Sequence, residues 1–185
     1  MKYNKVYIDT NVIRGCVRRR PDFSPALLKA IHRQNLQCIT SIFTLLELWR
    51  IEKEEDFFFK MVHRGYDLNT ILRERGDPRL TDSELNEINS RLDKFFNEHD
   101  YITPVQLVGD GWQFALDIAR TTNVQPADII HLATALGEQC DLLVTNDSPF
   151  TSQAKQFVKR NGYTLEILDV ERAEAALIGK EAKQK

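Results

Sequence analysis

Apolar segments of two kinds alternate along this chain. Short uninterrupted runs are typical of strands buried on both faces, and longer stretches with apolar residues every three or four positions are typical of amphipathic helices. The runs predict strands at residues 6–9, 37–40, 102–105, 142–145 and 164–168. The stretches predict helices at residues 12–20, 25–31, 41–53, 57–75, 83–99, 111–121, 127–139, 151–161 and 170–178. Because the two kinds alternate, we expect an α/β fold with a mainly parallel sheet flanked by helices on both faces.

One part of the chain interrupts this alternation, because it lacks strand-like runs. Residues 54–100 contain only helical patterns, broken once by the sequence Gly-Asp-Pro at 76–78. We therefore predict a helical hairpin inserted into a single domain that covers residues 1–185. The phenylalanines at 57–59 suit a helix core. They could alternatively seat a partner protein or a second copy of the chain, forming a homodimer.

Composition narrows the function only slightly. The net charge of −2 and the pI of about 6.1 provide no global attraction to nucleic acid, so a polyanion would need a local basic face or a bound metal. The three cysteines are an odd number without a C-x-x-C spacing, which argues against a disulfide framework and a zinc cluster. No targeting segment or stretch of about 20 apolar residues is present, so we expect a cytoplasmic protein without a membrane partner.

Four acidic residues occupy positions where folding alone would not favour a charge. Asp9 and Asp147 follow predicted strands, Asp128 lies in the first turn after Pro126, and Glu47 lies in a helix that is apolar on nearly every side. Ligands of parallel α/β sheets bind beyond the carboxyl ends of the strands, where these acids could converge. Carboxylates gathered there would repel by about 4 kcal/mol per pair at about 4 Å and an effective dielectric near 20, so the pattern predicts a cation site.

Each acid also has an ordinary structural explanation. Asp9 can cap the following helix, Asp128 can interact with a helix dipole, and Asp147 can be a turn residue. Glu47 is harder to explain in this way, because a buried carboxylate without a partner is costly.

Four segments together resemble a known family. They read YIDTNVI at 7–13, TLLEL at 44–48, PADIIHLATA at 126–135 and LVTNDSPF at 143–150. In this order they resemble the PIN-domain family, which includes the VapC toxins. The resemblance implies a PIN-like three-layer sandwich and a metal-dependent endoribonuclease that hydrolyses RNA phosphodiester bonds. It also implies an acidic site of Asp9, Glu47, Asp128 and Asp147, with Asn11 and Thr145 as polar supports.

The metal hypothesis follows from this resemblance. Mg²⁺ and Mn²⁺ are hard cations that prefer oxygen ligands. We expect Asp9 and Asp128 to be the principal ligands and Glu47 to be a ligand or the base for the attacking water. In the fourth position Asn146 stands beside Asp147, so either could reach the metal. A toxin of this family would also have an antitoxin protein as partner, although the interval from Glu47 to Asp128 is longer than in compact toxin members.

Several residues near these acids have two interpretations. Arg14, Arg18, Arg19 and Arg20 could form a phosphate track for RNA, or simply a solvated helix face. His131, three residues after Asp128, suits a packing role better than a ligand or proton-shuttle role.

Two competing functions remain. One is a non-catalytic PIN-like module that binds RNA or protein. The other is a haloacid-dehalogenase-like phosphohydrolase, which needs a second aspartate two residues after Asp9, where Asn11 stands.

Overall fold

The computed structural model describes residues 2–18, 25–76 and 79–179. Its five strands are β1 (Lys5–Ile8), β2 (Gln37–Ser41), β3 (Ile102–Val105), β4 (Leu142–Val144) and β5 (Glu166–Leu168). They form one sheet in the order β3-β2-β1-β4-β5, and every neighbouring pair is parallel. The predicted α/β fold with a parallel central sheet is therefore confirmed.

The described helices follow the predicted pattern closely. They are α1 (Thr10–Val17), α2 (Pro25–Arg33), α3 (Ile42–His63), α4 (Leu68–Glu74), α5 (Asp82–Glu98), α6 (Asp110–Thr121), α7 (Pro126–Gly137), α8 (Ser148–Arg160) and α9 (Val170–Ile178). The helices predicted at 41–53 and 57–75 differ from the structure, in which α3 continues through the charged run between them. Glutamate and lysine are good helix formers, so that run does not end the helix. Gly65 ends it instead, with a φ of 77° in the left-handed region.

The strand register brings two strand ends together at the centre of the sheet. Ile8 at the end of β1 pairs with Val144 at the end of β4, and the backbone N–H of Asp9 donates to the carbonyl of Val144 at 3.1 Å. Strands β2 and β3 lie on one side of β1, whereas β4 and β5 lie on the other. The order of strand addition therefore reverses between β1 and β4, which is where open α/β sheets bind ligands.

The chain divides into two compact units, one of which contains the sheet. This first unit comprises Met1–Thr44 and Asp100–Lys185. In it α7 packs against β2, α8 and α9 pack against β5, and α6 packs against α7. Fully buried side chains such as Ile39, Leu132 and Leu143 belong to its main hydrophobic cluster. The strands are buried in this core, so the side chains that follow them are positioned by its packing.

The second unit, Leu45–His99, is helical. Phe57, Met61 and Ile71 form a small buried cluster. The buried carboxylate of Glu52 is paired with Arg91 at 3.1 Å, which compensates the charge. The domain organisation expected from the sequence, one domain with an insertion at about residues 54–100, stays a prediction. Within the described parts of the chain, no helix combines the length and apolarity needed to cross a bilayer.

Candidate active site at the carboxyl ends of β1 and β4

Asp9 is a buried carboxylate at the end of the central strand. Only 3% of the residue is exposed. It is the N-cap of α1, and its Oδ1 accepts a hydrogen bond from the Thr10 backbone N–H at 2.6 Å. Its Oδ2 accepts from Asn11 Nδ2 at 2.5 Å and from Thr145 Oγ1 at 2.6 Å. Charge-assisted hydrogen bonds of this kind offset the desolvation of a buried carboxylate.

Asn11 and Thr145 join the loops that follow β1 and β4. Asn11 Nδ2 also donates to Thr145 Oγ1 at 3.0 Å, and Asn11 Oδ1 accepts from the Asn146 backbone N–H at 3.0 Å. The fully buried Thr145 hydroxyl additionally accepts from the backbone N–H of Asp147 at 3.1 Å. The family resemblance implied that Asn11 and Thr145 support the acids, and these contacts bring both side chains to Asp9.

Asp147 and Asn146 differ in their hydrogen bonds. Asp147 is the N-cap of α8, where its Oδ1 accepts from the Phe150 backbone N–H at 2.8 Å. Asn146 Oδ1 accepts from the backbone N–H of Val170 at 3.1 Å, which ties this loop to the start of α9. The sequence suggested that Asp147 could be a turn residue, and in the structure it caps α8.

Asp128 and Glu47 lie on helices. Asp128 is half-buried in the first turn of α7, one turn before His131. Glu47 is half-buried in α3, and it belongs to the second unit. The catalytic and metal-binding roles of both residues stay predictions.

His131 is buried against the same strand end. It is 1% exposed, and its Nδ1 lies 2.6 Å from the Tyr7 hydroxyl. Its Nε2 lies 3.3 Å from Thr10 Oγ1 and 3.4 Å from Asp9 Oδ1. Burial, reinforced by the negative charge of Asp9, raises the pKa of Tyr7 well above its usual range, so its hydroxyl keeps its hydrogen. His131 is thus both packed in the core and within hydrogen-bonding distance of the Tyr7 and Thr10 hydroxyls.

The comparison with protein families agrees with this architecture. A family model described as PIN domain matches residues 6–156, which is more than half of the chain. The chain belongs to the PIN domain family. A search of curated proteins finds no match. The family match begins in β1 and ends in α8, so it includes Asp9, Asp128 and Thr145, and PIN domains have a nuclease-type fold.

A divalent cation suits the donor chemistry of this PIN domain. Among the residues that the structure describes, no three histidine, cysteine, aspartate or glutamate side chains form a metal-binding group. Mg²⁺ is usually held by one or two carboxylates together with waters and substrate phosphates, so it does not require such a group. The oxygen donors of Asp9 therefore fit this class of ion.

The predicted phosphate track is only partly described. Arg14 lies in α1 and Arg18 is its C-cap, and both are half-buried. Arg19 and Arg20 lie outside the described residues. A role of these arginines in RNA binding stays a prediction.

Tyr7 and Thr10 are the site residues that the sequence reasoning missed. The signal for Tyr7 was a hydroxyl within a strand predicted to be buried, because a buried tyrosine hydroxyl needs a hydrogen-bond partner. The signal for His131 was its spacing of three residues from Asp128, which suggested a shared helix face.

Proposed function

We propose that this PIN domain is a divalent-metal-dependent endoribonuclease that hydrolyses RNA phosphodiester bonds. The observation that carries the proposal is the buried Asp9 carboxylate, held at the reversal of strand order by Thr10, Asn11 and Thr145. Ordinary capping requires only one of these contacts, whereas a ligand or catalytic group needs a fixed carboxylate plane. The cation would be Mg²⁺ or Mn²⁺, the substrate RNA and the location the cytoplasm.

The acids would share the chemistry in different roles. Asp9 and Asp128 would be the principal metal ligands, Glu47 a further ligand or the base for the attacking water, and Asp147 the fourth acid. When bound, such an ion activates a water molecule and offsets the charge that develops on the phosphate oxygens.

The uncharged neighbours would act through these acids. Asn11 and Thr145 would fix the rotamer of Asp9 by their hydrogen bonds to its Oδ2. Asn11 also accepts a hydrogen bond from the loop after β4, and Thr145 lies in that loop and donates to Asp9, so both would keep the ends of β1 and β4 at a constant separation.

RNA cleavage by purified protein tests the proposal. We expect cleavage with Mg²⁺ or Mn²⁺, none with EDTA, and a loss of at least about 100-fold in Asp9→Asn and in Asp128→Asn. Asp169→Asn is the matched control, because Asp169 also follows a strand of this sheet and caps a helix. Unchanged cleavage in Asp9→Asn would exclude Asp9 from the catalytic set.

Calorimetry separates the nuclease from a non-catalytic module that binds RNA or protein. The nuclease proposal expects Mn²⁺ to bind the folded wild-type protein and to bind Asp9→Asn more weakly. RNA binding without any metal binding would instead favour the non-catalytic module.

A VapC-type toxin is the more specific form of the proposal. It requires an antitoxin protein, which would be encoded by a short adjacent reading frame and would suppress cleavage when added. Cleavage without any such inhibitor would indicate a housekeeping nuclease. Light scattering would measure whether the chain forms a homodimer, which is one of the two alternatives that its sequence leaves open for the phenylalanines at 57–59.

A further inference from the structure

A continuous line of hydrogen-bonding groups runs from β2 through β1 to Asp9. The backbone N–H of Ser41, at the end of β2, donates to the Tyr7 hydroxyl at 3.1 Å. The Tyr7 hydroxyl lies 2.6 Å from His131 Nδ1, and His131 Nε2 lies beside Thr10 Oγ1 and Asp9 Oδ1. Tyr7, Ser41 and His131 are all buried, so water does not supply alternative partners cheaply.

The hydrogen on Tyr7 influences which tautomer His131 adopts. The phenol has a single hydrogen and already accepts one from Ser41, so it can donate to the nearby ring nitrogen. A neutral imidazole that accepts at Nδ1 carries its own hydrogen on Nε2. Tyr7 thus favours the tautomer in which Nε2 is the donor.

Asp9 favours the same tautomer for a separate reason. With Nε2 unprotonated, a nitrogen lone pair would lie 3.4 Å from a carboxylate oxygen in a buried site. Both groups would be acceptors, and their repulsion would be poorly screened there. With Nε2 protonated, its N–H is a favourable donor to the nearby oxygens, Thr10 Oγ1 at 3.3 Å and Asp9 Oδ1 at 3.4 Å.

We propose that Tyr7 and His131 are positioning residues, which hold Oδ1 of Asp9 by a fixed imidazole tautomer while Asn11 and Thr145 hold Oδ2. The inference rests on the proposed function in one respect, namely that Asp9 is a metal ligand. Its consequence is that the orientation of Asp9 depends on the end of β2 as well as on the loops after β1 and β4. Partners of this kind typically alter metal affinity by about 10- to 100-fold.

Nitrogen NMR of the metal-free protein tests the tautomer directly. The chain has four histidines, and the His131 signals are assigned by their loss in His131→Gln. We expect wild-type His131 to carry its hydrogen on Nε2 and to accept a hydrogen bond at Nδ1. In Tyr7→Phe the chemical shift of Nδ1 should move to the value of an imidazole nitrogen that accepts no hydrogen bond. A wild-type His131 protonated on Nδ1 would overturn the inference.

Two amide variants test the effect on Asp9. Glutamine can place its N–H₂ near the position of Nε2, whereas the shorter asparagine reaches only the position of Nδ1. We expect His131→Asn to bind Mn²⁺ about 10- to 100-fold more weakly than wild type, and His131→Gln to recover most of that loss. RNA cleavage should follow the same order through kcat, with KM for RNA nearly constant. Equal Mn²⁺ affinity in both variants would contradict the positioning role.

The two proposals can fail separately. If wild-type protein neither binds Mn²⁺ nor cleaves RNA, the nuclease proposal is wrong, and the positioning of a metal ligand is wrong with it, whatever tautomer the NMR detects. If wild-type protein does both and the two amide variants are equivalent, only the positioning inference is wrong. Thermal unfolding checks that each variant is folded. Should His131→Asn not fold, Tyr7→Phe replaces it, with weaker Mn²⁺ binding expected and unchanged affinity contradicting the inference.

Discussion

Thr145 Oγ1 donates a hydrogen bond to Asp9 Oδ2 at 2.6 Å, although 136 positions separate the two residues in the chain. The contact exists because β1 and β4 are parallel neighbours whose last residues pair in register. Each residue directly follows its strand, so both side chains emerge at the same sheet edge. The short threonine side chain can therefore reach the buried carboxylate of Asp9 and hydrogen-bond to it.

Removing this hydroxyl should impair both stability and activity. Thr145→Val keeps the side-chain shape but removes the donor to Asp9 and the acceptor used by Asn11 and Asp147. We expect a loss of about 1–3 kcal/mol in the free energy of unfolding, measured by urea denaturation. RNA cleavage should decrease by about 10- to 100-fold. Thr145→Ser retains the hydroxyl and is the control, so equal behaviour of the two variants would contradict this prediction.

The arginines near α1 should contribute to RNA binding if they form the predicted phosphate track. In an Asp9→Asn background, which prevents cleavage, alanine replacement of Arg18, Arg19 and Arg20 should weaken RNA binding. The slope of log K against log salt should become shallower by up to about 2, since each single-strand phosphate contact contributes about 0.7. The control replaces three arginines exposed on other helices, which are Arg120, Arg160 and Arg172. Equal slopes in the two triple variants would rule out the track.

Glu84 should make stability depend on pH in the acidic range. The hydrogen bond from Lys60, followed by that from the Thr81 backbone, lowers the pKa of Glu84 from 4.5 to about 2. A folded-state pKa below the unfolded value stabilises the protein above about pH 4.5, and this contribution is lost as the pH falls towards 2. Glu84→Gln keeps the capping-box geometry but removes the charge. We expect it to be about 0.2–1 kcal/mol less stable at neutral pH, because the ion pair is largely solvent-screened.

Urea unfolding across the acidic range measures this effect. The free energies of unfolding of wild type and Glu84→Gln should become equal near pH 2. The control is Glu98→Gln, whose carboxylate lies 3.8 Å from Lys94 with both side chains exposed. A difference between wild type and Glu84→Gln that stayed constant with pH would argue against the Lys60 interaction as its cause.

The close approach of α6 and α7 should not tolerate a methyl group at Gly137. A Cβ there would lie 3.1 Å from the Cα of Gly111, a backbone atom that cannot rotate away. We expect Gly137→Ala to be destabilised by about 1–3 kcal/mol by overpacking, reduced by up to about 1 kcal/mol through the higher helix propensity of alanine. Gly76→Ala is the control, because nothing lies within 4 Å of its Cβ position. Thermal unfolding compares the two, and equal melting temperatures would disprove the packing argument.

The elements could be predicted from local sequence because their signals are local. The apolar run at 6–8 gives β1, and Pro126 marks the first turn of α7, as expected from its restricted φ. Two predicted boundaries were wrong. The helix predicted at 57–75 is divided at Gly65 between α3 and α4, and the end predicted at residue 53 lies within α3. A charged run is compatible with a solvated helix, so its composition did not reveal that the helix continues to His63.

The residues that surround Asp9 were easier to predict than the contacts between them. Asp9 was singled out because it follows an apolar strand, and Asn11 and Thr145 because of the resemblance to the PIN-domain family. The structure brings these three together. The packing role expected for His131 accounts for its burial but not for its hydrogen bonds to Tyr7 and Thr10. Those bonds join elements distant in sequence, so no local pattern encodes them.

The sequence by itself therefore determined the strands, the helices, the parallel sheet and the acids at the strand ends, because hydrophobic periodicity and residue propensity act over a few neighbouring positions. Only the tertiary structure decided that β1 lies between β2 and β4. That order sets which strand ends meet, and so which side chains surround Asp9. The physical reason is that hydrogen bonds reach about 3 Å, so partners are selected by strand order and register rather than by proximity along the chain.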